Sequence, residues 1–426
     1  MSKSDRISLL SKAKQIPVLF YFLKWLFLST LVGVLAGATS AFFLFFLDWV
    51  TEWRENHLWI IAFLPLAGLI IGLAYHYWGK EVVNGNNVLL EEFHSPKKII
   101  PLIMAPLVLF GTLITHLFGG SAGREGTAVQ MGAAISDQFS KLFSLNENDR
   151  KILIIIGISA GFAAVFGTPL AGAVFALEVM FFGKIKSEAL LPSLITAFIA
   201  DFTCTAWNVS HTQYSIPIVP DIGIINLLWA ALTGIIFGLS SWLFSRSMHF
   251  WTKLFASIIK YAPFRPLIGG IFIAIAIYLM GTTKYIGLGI PVILDAFSEN
   301  LNSYDFLIKI LLTTFTIGAG FKGGEVTPLF FIGATLGNAL VWFVPLPVAL
   351  LAGMGFAAVF AGASNTPIAC TLLGIELFGM ESAIFIGIAC LISYFFSGLT
   401  GIYTSQIQSG PKYYIHKRLK STFNFV

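Results

Sequence analysis

Apolar runs follow one another along this chain with only short polar breaks. Stretches near 18–49, 58–78, 99–118, 126–142, 149–166, 169–183 and 189–206 predict a first series of helices. After a polar passage from Asn208 to Asp221, a second series is expected at 223–256, 266–280, 289–297, 305–319, 328–343, 347–361, 367–378, 382–398 and 404–416. A bilayer crossing needs about 20 apolar residues, so several of these pieces are too short to span alone. Short apolar segments cut by Gly and Pro are the pattern of half-helices meeting inside a membrane. The expected class is an all-α, polytopic membrane protein with broken and re-entrant helices.

The two series also resemble each other. Gly161-Phe-Ala-Ala-Val-Phe166 recurs as Gly355-Phe-Ala-Ala-Val-Phe360. Each copy is followed by Thr-Pro (Thr168-Pro169, Thr366-Pro367) and then by a small-residue helix ending in a glutamate, Glu178 or Glu376. Upstream, Gly120-Ser-Ala-Gly-Arg-Glu125-Gly-Thr127 matches Gly320-Phe-Lys-Gly-Gly-Glu325-Val-Thr327, which makes Glu325 the twin of Glu125. The spacings are 200 for the glutamates in the glycine breaks (325 minus 125) and 198 for the later pair (376 minus 178). Two related halves, about 18–206 and 223–416, with a site between them, are the expectation. An odd number of crossings in each half would require the halves to be inverted.

Composition narrows the class. Charged residues make up 11% of the chain and hydrophobic residues 57%, whereas a soluble domain carries about 25% charge. The first apolar run is too long for a cleavable signal. Cys204, Cys370 and Cys390 have no paired spacing, and the seven histidines form no ligand motif, so neither disulfides, a metal nor a cofactor is expected. Much of the positive charge lies at the two ends: Lys3, Arg6, Lys12, Lys14 and Lys24, then Lys412, His416, Lys417, Arg418 and Lys420. These residues flank apolar spans, which argues for membrane lipid against nucleic acid and for two cytoplasmic termini, with 1–17 and 417–426 as short cytoplasmic segments.

Four clusters carry candidate chemistry. In Gly123-Arg124-Glu125-Gly126-Thr127, preceded by Ser121, a charged pair sits in a glycine break near membrane depth, where a charge costs about 2.5–3.5 kcal/mol. A helix that starts at such a break offers free amides to an anion. The second cluster, Asn84-Gly85-Asn86-Asn87, reads first as a cap or turn, and is also a source of neutral amide donors. The third runs from Gly320 to Pro328 with Lys322, Glu325, Val326 and Thr327, where a Lys–Glu pair is the plain reading. The fourth is Gly398-Leu-Thr-Gly-Ile-Tyr403-Thr404, with a tyrosine near an expected helix start.

Together, Gly123-Arg-Glu-Gly126, Gly323-Gly-Glu-Val-Thr-Pro328, the two hexapeptide copies and Tyr403 resemble the CLC family of anion channels and proton-coupled antiporters, over about 20–416. The resemblance implies a homodimer with one anion path per subunit. It makes Glu125 the external gate and proton carrier and Tyr403 the inner gate that donates its hydroxyl to the anion. Asn86 falls where chloride members carry serine and nitrate members proline. Val179 stands where many chloride/proton exchangers carry an internal proton glutamate, and Glu325 has entered the motif that usually reads Gly-x-Phe-x-Pro. These departures resemble the fluoride/proton antiporter branch. The short tail leaves no room for a CBS pair, which suits a bacterial plasma-membrane member that confers fluoride resistance. The implied function is a secondary active transporter, not an enzyme, exporting fluoride against protons, with Glu125 and Glu325 in gating and proton transfer. Asn86, Gly123, Arg124, Gly126, Val326, Thr327 and Tyr403 would hold the anion, with Asn87, Ser121 and Lys322 as weaker candidates. A chloride/proton exchanger or chloride channel of the same fold is the alternative. A membrane hydrolase using the two glutamates is more remote, because no His–Glu zinc pair or Gly-x-Ser-x-Gly is present.

Overall fold

A computed structural model describes the backbone of residues 3–180, 187–407 and 410–423, and side chains from residue 18 onward within those ranges except 416 and 419–423. The described residues of the first half form α1 (Lys3–Asn56), α2 (Leu64–Tyr77), α3 (Asn86–His94), α4 (Met104–Leu117), α5 (Glu125–Leu142), α6 (Glu147–Phe166), α7 (Pro169–Met180) and α8 (Ser187–Ala206). The second half forms α9 (Ile224–Ile258), α10 (Phe264–Met280), α11 (Ile290–Asp295), α12 (Asp305–Gly318), α13 (Val326–Ala339), α14 (Val348–Ser364), α15 (Pro367–Phe378), α16 (Ala383–Phe396) and α17 (Gly410–Phe423). Among the described residues, four helical segments are long and apolar enough to cross a membrane, and α4, α7, α10 and α13–α16 are shorter apolar pieces.

The expected pattern is corrected in several places. α1 is one helix from Lys3, so residue 18 is not a boundary. The run at 58–78 splits into a 3₁₀ segment, Leu58–Phe63, and α2, which Pro65 opens. α3 has no counterpart in the expected series; nine residues are too few for a clear period, but Val88, Leu89, Leu90 and Phe93 bury one side of it. The end of the expected helix 169–183 lies outside the described residues. The expected helix 404–416 is irregular through Ile407, so Tyr403 does not stand at a helix start. The physical reason is that amides there bond elsewhere: Ile402 N–H donates to Ala363 O at 2.8 Å and Ser405 N–H to Asn87 Oδ1 at 3.0 Å.

The repeat is real, but its register differs from the sequence match. Gly123 and Gly324 form a two-bond antiparallel bridge, N–H to O at 2.5 and 2.7 Å, and they lie 201 apart (324 minus 123). The same offset relates the starts of α5 and α13, and relates Gly119 to Gly320, both at positive φ. Glu325 is therefore the counterpart of Arg124, one residue before the position equivalent to Glu125. The hexapeptide copies are also out of register. A Cβ on Gly132 would stand 2.2 Å from Gly157 O, and one on Gly333 would stand 2.0 Å from Gly355 O. Gly355 thus plays the part of Gly157, one helical turn before Gly161. These contacts bring backbones of α5 and α6, and of α13 and α14, closer than any side chain allows.

Two reciprocal contacts fix the relative direction of the halves. The Glu178 carboxylate near the end of α7 accepts from Ile368 N–H (3.1 Å) and Ala369 N–H (2.8 Å) at the start of α15. The Glu376 carboxylate near the end of α15 accepts from Leu170 N–H (2.9 Å) and Ala171 N–H (2.8 Å) at the start of α7. Helices of 12 residues, about 18 Å long, make both contacts only when they run antiparallel. Equivalent helices in opposite directions mean inverted halves. Each carboxylate also satisfies amides that a helix start leaves unpaired.

Candidate functional site

The site forms where the inverted halves meet. α4 ends at Leu117 and α12 at Gly318; each is followed by a glycine turn, and α5 and α13 then start beside the Gly123–Gly324 bridge. Two helix N-termini thus converge inside the protein, and the local field favours negative charge.

Glu125 is fully buried at this junction. Its Oε2 accepts from Thr327 N–H and from Arg124 N–H, both at 3.1 Å. Its Oε1 accepts a short hydrogen bond from the Thr327 hydroxyl, and Arg124 Nε stands 3.8 Å from that oxygen. The carboxylate of one half thereby occupies the helix start of the other, where Val326 is the first residue of α13. Thr127 faces away and shares a 2.7 Å hydrogen bond with Thr112.

A second group of polar atoms surrounds Gly126. A Cβ built there would lie 3.1 Å from Asn86 Nδ2, 3.2 Å from Gly324 Cα and 3.6 Å from Glu325 Oε2. The bare glycine leaves a space that an amide donor and a carboxyl oxygen border together. Glu325 Oε2 and Asn86 Oδ1 are both buried without a hydrogen-bond partner among the described residues. The cap reading of Asn86 is corrected: it is the first residue of α3, Gly85 holds the cap position at φ 57°, and no side chain caps that helix. The plain Lys322–Glu325 pair is corrected as well. Lys322 Nζ donates to Val83 O at 3.1 Å and sits 4.0 Å from the centre of the Tyr75 ring, and no ion pair joins it to Glu325.

A cavity of about 470 Å³ has Asn86, Glu325, Gln130, Lys322 and Tyr403 in its wall. Asn86 and Tyr403 also border a chamber of about 20 Å³ that includes Val179. Two weaker candidates have other tasks. Ser121 is tied by its hydroxyl to Tyr285 O (3.0 Å) and Thr313 Oγ1 (2.9 Å). Asn87 receives the Ser405 amide described above while lining the cavity.

Sequence reasoning missed three groups. Gln130 stands four residues after Gly126, hence on the same face of α5, and that spacing was the available signal. Lys309 is fully buried and donates to Tyr285 O (3.0 Å) and Gly287 O (2.8 Å); a lysine inside an apolar run was itself a signal. His116 places its two ring nitrogens 2.9 Å from Thr112 O and 3.1 Å from Ala122 O, behind the Glu125 turn. Nothing local in the sequence announced that contact.

A profile of the family described as "Voltage gated chloride channel" matches residues 67–398. A "Chloride/fluoride channel protein" of Pseudomonas syringae pv. tomato is 49% identical over 409 residues, which is 95% of this chain and 90% of the relative. An "H(+)/Cl(-) exchange transporter ClcA" of Vibrio cholerae is 29% identical over 383 residues, 83% of this chain and 81% of the relative. Among solved structures, a CLC-type fluoride/proton antiporter superposes with a TM-score of 0.89 at 38% identity, over 92% of this chain and 99% of that one. A slow cyanobacterial Cl-/H+ antiporter shares the fold, with a TM-score of 0.77 at 19% identity over 94% and 99% of the two chains.

Proposed function

Because the chain belongs to the voltage-gated chloride channel family, whose shared fold is called CLC, we propose that it is a secondary active transporter exporting cytoplasmic fluoride in exchange for protons. The observation that carries the proposal is the convergence of Asn86 Nδ2 and the unpartnered Glu325 Oε2 on the open face of Gly126. The relatives above, a chloride/fluoride channel protein and a fluoride/proton antiporter, point to the same anion.

Fluoride is small and holds its water tightly, so a site must replace hydration with close hydrogen-bond donors. Asn86 supplies an amide and Tyr403 a phenol hydroxyl; Glu325 supplies an O–H when protonated. An ionised Glu325 would repel the anion, so fluoride binding and protonation of Glu325 go together. Glu125 acts as the external gate. As a carboxylate it fills the junction and holds Thr327. Once protonated it is a poorer acceptor, releases the Thr327 amide and hydroxyl, and leaves the junction to the anion. The helix starts therefore hold either the carboxylate or fluoride, which makes the exchange obligatory. Gly123, Arg124, Gly126, Val326 and Thr327 form the wall of that junction, and Lys322 lends positive charge to the cavity mouth.

The protein would work in a bacterial plasma membrane with both termini cytoplasmic. A homodimer surrounded by lipid is the proposed unit. The test is a reconstituted liposome loaded with fluoride. Its outward gradient should drive protons inward, and an equal chloride gradient should drive far fewer. Equal proton movement with chloride, or fluoride efflux without proton entry, would overturn the reading.

A further inference from the structure

We infer that Asn87 and Glu91 of α3 form a latch on Ser405 that sets the separation between the anion donors Asn86 and Tyr403. The inference rests on the reading that these two donors face the transported anion. Tyr403 lies in the irregular segment 401–407, where no helical ladder holds the chain. What holds it is a set of side chains from distant elements. Ser405 N–H donates to Asn87 Oδ1 at 3.0 Å, and the Ser405 hydroxyl donates to Glu91 Oε1 at 2.7 Å. Asn87 and Glu91 are four apart on α3, so they share one face and meet both polar groups of the same serine. Asn86 is the residue before Asn87, and Tyr403 stands two before Ser405. The latch therefore joins the two donors through very few covalent links, across 318 positions of sequence.

The other side of the segment is fixed independently. Asn365 Nδ2 donates to Gln406 Oε1 at 3.0 Å, and Gln406 Nε2 donates to Ser364 O at 3.1 Å and Val179 O at 3.2 Å. Lys412 Nζ donates to Asn365 Oδ1 at 2.8 Å, which brings α17 into the same network. Tyr403 is thus held between α3 and the ends of α7 and α14. Hydrogen bonds weaken steeply over a few tenths of an ångström, and a small anion cannot bridge a widened gap as a larger one can. Loosening the Asn87–Glu91 side should weaken fluoride binding and narrow the preference over chloride. It should leave the gate at Glu125 untouched. Asn87 and Glu91 are positioning residues, because they act through Asn86 and Tyr403.

The experiment uses the full chain in liposomes and compares wild type with Ser405→Ala, Glu91→Ala, the double variant and Glu91→Gln. Each single removal should raise the fluoride concentration for half-maximal exchange about five- to tenfold, as for loss of one hydrogen bond. The fluoride/chloride ratio should fall, and the saturating rate should stay within about twofold. The double variant should be no worse than either single one, since both remove the same bond. Glu91→Gln keeps an acceptor oxygen and should restore affinity. Unchanged half-saturation in both single variants would overturn the latch, as would additive losses, or a lower saturating rate at unchanged half-saturation. Where Glu91→Ala fails to fold, Ser405→Ala, which removes one oxygen atom, carries the same test. A wild-type protein that exchanges no fluoride for protons would overturn the transport reading itself, a result distinct from any of these.

Discussion

Gly126→Ala tests the location of the anion site with one methyl group. Gly126 lies in the first turn of α5, where alanine fits the backbone and stabilises a helix by roughly 0.5–1 kcal/mol over glycine. The added carbon would stand 3.1 Å from Asn86 Nδ2 and 3.2 Å from Gly324 Cα. The Asn86 amide can rotate away; Gly324, bridged to Gly123 by two backbone bonds, cannot. The methyl therefore displaces the donor or takes the anion's place. Loss of one hydrogen bond to a charged group costs about 1.5–3 kcal/mol, which corresponds to about a ten- to hundredfold weaker fluoride affinity. Titration calorimetry on purified protein measures the affinity, and thermal unfolding reports stability. The expected result is a folded protein, somewhat less stable than wild type because Gly324 cannot give way at 3.2 Å, with fluoride binding reduced by that factor. A folded Gly126→Ala protein with wild-type affinity would refute the assignment of the space beside Gly126 to the anion.

Four further outcomes are expected. Glu125→Gln should end proton transport in liposomes while retaining anion leak, because an amide weakens the hold on Thr327 and carries no proton; persistent proton pumping would remove Glu125 as the carrier. Asn86→Ser should narrow the ratio of fluoride to chloride flux, since one hydroxyl replaces a two-donor amide; an unchanged ratio would move selectivity to Glu325 and Thr327. Glu325→Gln should give monodisperse protein without coupled exchange, as no ion pair is broken; wild-type exchange would exclude a proton role for it. Glu178→Ala should cost roughly 1–3 kcal/mol of stability by stranding two amides, with Glu376→Ala costing less because that carboxylate is more exposed, and equal unfolding temperatures to wild type would show that the two caps carry no stability.

The architecture was legible because it rests on pattern: apolar runs too short to span, cut by Gly and Pro, and a motif order that returns in the second half. The register was not. Gly119 to Gly126 and Gly320 to Gly324 are so rich in glycine that offsets of 200 and 201 match almost equally well on paper. The Gly123–Gly324 bridge and the matching starts of α5 and α13 decide between them. That one residue turns Glu325 from the twin of Glu125 into the counterpart of Arg124. The hexapeptide copies misled for a similar reason, since small residues recur each helical turn and Gly355 matches Gly161 in sequence while doing the work of Gly157. Asn86 showed its residue type but not its direction. An Asn beside Gly is a good cap in general, but here Gly85 takes the cap position and Asn86 is already the first residue of the helix. Gln130 was hidden because the groups it meets in the cavity wall come from other elements, Asn86 on α3, 44 positions back (130 minus 86), and Tyr403 after α16, 273 positions on (403 minus 130).

The crossed carboxylates of α7 and α15 bear on how the protein is made. α7 emerges from the ribosome long before its partner, for Glu376 follows Leu170 by 206 positions. At about 5–20 residues per second, the start of α7 waits on the order of 10–40 s for the acid that closes it. During that interval its amides must be met by water, lipid headgroups or the insertion machinery. The first half is therefore an unfinished object on its own, and assembly is completed only when the second half threads back and each helix end closes the other.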